Sequence, residues 1–104
     1  MSERRRESRY LCADLVRVTY EGIVVEAVLE DIAARGICIQ MDDPIPNGTP
    51  IHVMLGDCDF EGQVCYCKFQ EIGYFIGIHF DDSAQWNTHI FEPQHLTDLQ
   101  SLGG

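Results

Sequence analysis

The stretch LVRVTYEGIVVEAVLE, residues 15–30, decides the fold. Two runs rich in β-branched and aromatic residues meet across Glu21-Gly22, which predicts a tight hairpin. In the second run Ile23, Val25, Ala27 and Leu29 alternate with other residues and share one face of a strand. The opposite face, with Val24, Glu26, Val28 and Glu30, is only half polar, so that side is expected to be partly covered.

Outward from this hairpin the same grammar repeats. Ile37–Met41 follows a glycine, and PIPNG at 44–48 separates it from Ile51–Leu55. Gly56-Asp57 leads into Phe60–Lys68, and Glu71-Ile72-Gly73 leads into Tyr74–Phe80. Six short strands at roughly 8–12-residue spacing, punctuated by Gly, Pro, Asn and Asp, predict an antiparallel sandwich or barrel. Ser83 reads as the N-cap of a helix starting at Ala84, with Trp86 and Ile90 four apart on its inner side. Pro93 ends or kinks that helix, and Leu96 and Leu99 continue into a second turn. The expected fold is all-β with a C-terminal helix. It divides into a flexible basic arm at 1–10, a β-barrel at 11–82 and a helical segment at 83–100.

Charge is unevenly spread. Four of the seven basic residues are Arg4, Arg5, Arg6 and Arg9; with Glu3 and Glu7 they leave the first nine positions at +2, against a chain total of −10. The arm is too short and the body too acidic for general nucleic-acid binding, which needs a broad basic face. A small, highly charged anion suits it better. A length of 104 residues supports one domain with a single core. No apolar run approaches the ~18 residues of a membrane span, and MSERRRES lacks the apolar core of a signal peptide, so a cytoplasmic protein without membrane insertion is expected. Five cysteines, with Cys65 and Cys67 the one close pair and on the same side of a strand, read as reduced thiols packed as small hydrophobes. Neither they nor the four histidines show metal-ligand spacing, so no metal or cofactor is expected. No nucleophile–base pair, phosphate loop or carboxylate dyad appears, which argues against an enzyme.

Two motifs carry the function. RRESR, Arg5 to Arg9, gives an RxxxR spacing ahead of the first strand, and DIAARG, Asp31 to Gly36, lies at a strand-to-strand junction. In this order and β-context the pair resembles the PilZ domain, whose signatures are RxxxR followed after a hairpin by [D/N]xSxxG. Tyr10, the GICIQ after the second motif and the YFIGIHF run extend the likeness over nearly the whole chain. The resemblance implies a six-stranded antiparallel PilZ-type barrel that binds the bacterial second messenger cyclic di-GMP. By that pattern Arg5 and Arg9 clasp phosphate and guanine edges, Asp31 and position 33 hold a guanine, and Gly36 lets the backbone turn beneath it.

Elementary chemistry fits those roles. Guanidinium forks match phosphate oxygens and guanine O6/N7 in bidentate fashion. A carboxylate accepts from guanine N1–H and N2–H₂, a pair of donors that adenine lacks. Glycine permits either a positive φ or a close backbone approach. The chain departs from the pattern at Ala33, where a serine hydroxyl is missing, and carries Arg35 where a small residue is common. Arg4, Arg6, Arg35 and Tyr66 are secondary ligand candidates, Tyr66 as a stacking aromatic. Arg17 and Lys68 read as surface or strand-face residues. The implied role is a standalone receptor acting as a ligand-switched adaptor for an unidentified effector protein. Ala33 keeps open a PilZ-like adaptor of pilus or flagellar machinery that is blind to nucleotide, and an RNA-binding barrel is disfavoured by the acidic body.

Overall fold

The computed structural model describes residues 9–81, 85–87, 90–93 and 97–98. Arg4, Arg5 and Arg6 lie outside the described residues, as do Ser83, Ala84, Leu96 and Leu99. Eight strands run in chain order: β1 Tyr10–Leu11, β2 Leu15–Tyr20, β3 Ile23–Ala33, β4 Gly36–Met41, β5 Pro50–Leu55, β6 Cys58–Gln70, β7 Gly73–Phe80 and β8 Thr97–Asp98. All pairings are antiparallel. The order β2-β5-β6-β7-β4-β3 closes on itself through β2–β3, giving a six-stranded barrel with no free edge along its closed part. The two-residue strands β1 and β8 extend the sheet beside the C-terminal half of β3.

Tight turns set the register. Tyr20 pairs with Ile23 across Glu21-Gly22, where both turn residues have positive φ, 51° and 79°. Only a mirror-image turn of this kind matches the twist of the flanking strands. Glycine adopts it freely, whereas for an ordinary side chain the left-handed region costs roughly 1 kcal/mol. Glu21→Asn is therefore expected to stabilise the barrel by about 0.5–1 kcal/mol, because Asn tolerates that backbone. A urea midpoint unchanged or lowered by the substitution would show that Glu21 is not strained there.

The barrel interior holds Val16, Val18, Ala27, Leu29, Ile32, Ile37, Ile39, Ile51, Val53, Leu55, Ile76 and Ile78, with Phe60 stacked on Phe80 at 4.6 Å. The face read from Ala27 and Leu29 is thus the core face. Ile23, at the hairpin end of the same row, is exposed.

Where a helix was expected after the barrel, the described residues contain none. Residues 85–87 and 91–93 are irregular, Ile90 lies in a turn, and Thr97–Asp98 is extended against Tyr10–Leu11. The cause lies in competing partners. The Trp86 N–H donates to the Ala34 carbonyl at 2.8 Å, its indole Nε1–H donates to the Phe91 carbonyl at 2.7 Å, and its ring meets Tyr10 edge-on. Trp86 is buried by this arrangement. Phe91 lies against Gly56, and the Cys58 thiol donates to the Ile90 carbonyl, so the segment straps one end of the barrel from the β3–β4 turn to the β5–β6 turn. Tyr10, grouped with the N-terminal arm by sequence, belongs to the folded body as a β1 residue.

Candidate functional site

The DIAARG motif forms the end of β3, a two-residue turn and the start of β4, with Ala33 paired to Gly36 across Ala34-Arg35. Gly36 does not have a positive φ. Its need is close approach: a Cβ there would collide with the backbone carbonyl oxygen of Ile78 on β7. The turn is also tied to β7 by the Phe80 N–H, which donates to the Arg35 carbonyl at 2.8 Å.

Two β-bulges then build a surface on the outside of the barrel. Along β3, Leu29 pairs with Ile39 and Asp31 with Cys38, leaving Glu30 as an extra residue. Along β6, Val64 pairs with Ile78 and Tyr66 with Gly77, leaving Cys65 as an extra residue. Each bulge reverses the inside–outside alternation. Leu29 and Val64 point into the core, whereas Asp31 and Tyr66, which strict alternation would send inward, face outward. Both bulges fall on one row of the sheet, in which Tyr66, Gly77, Cys38 and Asp31 are successive neighbours across β6, β7, β4 and β3.

Gly77 makes room for the ring of Tyr66; a Cβ at that position would lie on top of the ring carbons. Tyr66 thus crosses β7 with its hydroxyl towards the Cys38 thiol. Burial first, and then the neighbouring Cys38, push the phenol's pKa up, so it stays protonated. The residue remains 40% exposed, and its ring forms an aromatic platform on the surface. The same bulge separates the two close cysteines: Cys65 is exposed, while Cys67 packs against the core, so they do not share a side as regular alternation implied.

Beside the platform, Arg9 reaches Asp31 with Nη2 donating to Oδ1 at 2.5 Å, the two side chains being 41% and 22% exposed. Glu30 next to it has its carboxyl pushed above the usual range, by burial and then by the Asp31 charge. The Cys12 thiol is pushed up to about 12 by burial and by Asp14, Asp31 and Glu30, so it carries no thiolate at neutral pH. The local field is strongly negative apart from the guanidinium groups.

Arg9, Asp31, Arg35, Gly36 and Tyr66 line one groove of about 230 Å³, together with Ile37, Cys65, Gly77, Ile78 and His79. Ala33 is fully buried and does not line it. Gly77 and His79 line the groove although neither belongs to the two motifs. A glycine inside the YFIGIHF strand was the available signal, since an interior strand glycine marks a close approach.

A family model described as PilZ domain matches residues 3–91. Comparison with curated proteins gives no match. Among solved structures, the PlzA protein of Borreliella burgdorferi, crystallised in complex with c-di-GMP, is similar with a TM-score of 0.64 at 13% sequence identity. The similarity covers 83% of this chain but 38% of PlzA, so the chain spans well under half of that protein's length. At that identity the likeness speaks for the fold. The family model carries the assignment, since its match takes in both arginine and turn motifs and all seven strands from β1 to β7. This chain belongs to the PilZ domain family.

Proposed function

We propose that the protein is a cyclic di-GMP receptor that works as a ligand-switched adaptor in the cytoplasm, with the groove at the β3–β4 turn as its binding site. The observation that carries this reading is the gathering of two guanidinium groups, one carboxylate and a half-exposed phenol ring on one surface. Arg9 uses one of its five N–H donors on Asp31, which leaves the remainder of the fork for phosphate or for guanine O6/N7. The pairing also holds Asp31 in place on the groove wall, where its carboxylate suits guanine N1–H and N2–H₂. Arg35 at the turn tip supplies a second cation. Tyr66 offers a π-face to a base, an interaction that is tolerant of base identity, so discrimination falls to Asp31. Gly36 lets the turn pack against the Ile78 carbonyl and so shapes the groove wall. Arg5 is expected to join Arg9 on the phosphates as the RxxxR partner, with Arg4 and Arg6 close by in sequence. The signal leaves through the surface that the ligand and the arginine segment together reshape for an effector protein.

Calorimetric titration with cyclic di-GMP and, separately, cyclic di-AMP tests this reading. Cyclic di-GMP is expected to bind and cyclic di-AMP to bind far more weakly, because adenine lacks the adjacent N1–H and N2–H₂ donors that a carboxylate takes together. Equal affinities would remove Asp31 from base recognition. Ala33 supports a second reading, since its methyl is buried and the turn lacks the serine hydroxyl of the family pattern. No binding of either nucleotide would favour an adaptor that docks its partner without a ligand.

A further inference from the structure

The groove at the turn, at about 230 Å³, lies below the ~300 Å³ at which ordinary small-molecule pockets begin, and a cyclic dinucleotide carries two purines and two phosphates. A second lobe of about 560 Å³ adjoins it and shares Asp31 and Tyr66 as walls. We propose that the ligand face continues past Tyr66 into this lobe, where Lys68, Gln70 and Phe75 take the second nucleotide half of a cyclic dinucleotide. The inference rests on the cyclic di-GMP reading above and extends it to residues outside both motifs.

Register makes the two lobes one surface. Tyr66, Lys68 and Gln70 stand on the same outward row of β6 because strand side chains repeat every two residues. Opposite them on β7 are Gly77, Phe75 and Gly73. Lys68 therefore projects beside the half-buried Phe75 ring, one step along from the Tyr66 platform. An aromatic wall, an ammonium and an amide meet here. Phe75 offers an apolar face to a purine, Lys68 a point charge to a phosphodiester, and Gln70 both a donor and an acceptor to a base edge.

Charge points the same way. The described residues of this −10 chain include four cations, Arg9, Arg17, Arg35 and Lys68. Arg9 and Arg35 line the first lobe and Lys68 the second, whereas Arg17 faces a different part of the barrel. In a body this acidic, three cations along one continuous face focus a phosphate-bearing ligand there.

The test is titration of the full chain with cyclic di-GMP, comparing the parent with Lys68→Ala, Gln70→Ala and Arg17→Ala. All three side chains are exposed, so equal thermal midpoints are expected and exclude a folding effect. Lys68→Ala should weaken binding about tenfold or more, as loss of a charge-assisted contact does, and should flatten the salt dependence. Gln70→Ala should weaken it about threefold, and Arg17→Ala should match the parent. If the parent binds and both Lys68→Ala and Gln70→Ala bind equally well, the second lobe is not used and the inference is overturned, while the site at the turn stands. If the parent does not bind, the receptor reading fails and this extension fails with it.

Discussion

Arg9→Ala is expected to weaken cyclic di-GMP binding about tenfold to a hundredfold, the consequence of losing one charge-assisted contact of about 1.5–3 kcal/mol. The loss has two parts. The ligand forfeits a guanidinium fork, and Asp31 forfeits the partner that neutralises it. Without Arg9, Asp31 stands beside Glu30, whose carboxyl already responds to that charge, and Arg35 alone among the described cations is left in the groove. The pull on phosphates is then weaker. Arg9→Lys separates charge from shape. It keeps the cation but not the planar fork, so an affinity between those of the parent and Arg9→Ala is expected. Stability should hardly change in either variant, because a half-exposed ion pair contributes about 0–1 kcal/mol. Calorimetric affinities equal to the parent's in both variants would place the ligand away from the turn.

Leu29→Ala should lower unfolding free energy by about 2–5 kcal/mol, a large share of the 5–15 kcal/mol typical of a domain. Leu29 is fully buried, pairs with Ile39 and lies in the interior layer next to the β3 bulge. Truncation removes its transfer energy and leaves a cavity that a closed barrel cannot collapse, since each strand is held on both sides. Leu15 on β2 is the control. It is 67% exposed, so Leu15→Ala should shift stability by no more than about 0.5 kcal/mol. Urea unfolding with an unchanged slope measures both. A Leu29→Ala midpoint close to the parent's would mean that the interior rearranges to fill the gap, contrary to a barrel locked by its register.

Strand order along the chain was legible because its causes are local. β-Branched runs, two-residue turns at Glu21-Gly22 and Gly56-Asp57 and the alternation through Ala27 and Leu29 each act within a few residues. The helix expected over 83–100 is absent from the described residues of that segment for the opposite reason. A plausible cap and an i, i+4 apolar pair favoured a helix there, but Trp86 finds Ala34 and Tyr10, which are distant in sequence. A long-range partner outweighed a weak local preference.

By itself the sequence determined a small all-β domain, its strands, an arginine segment on an acidic body and the chemistry of Asp31 and Arg9. It did not determine which way Asp31 and Tyr66 point. Period-two alternation from Leu29 and Val64 sends both inward, and only the extra residues Glu30 and Cys65 turn them to the surface. The tertiary structure alone decided that these bulges fall on one row of the sheet, and that Gly77 leaves space between them for the ring of Tyr66. The physical reason is that a bulge is defined by a mismatch between two paired strands. Neither strand carries that mismatch in its own residues, so it exists only once the barrel has closed.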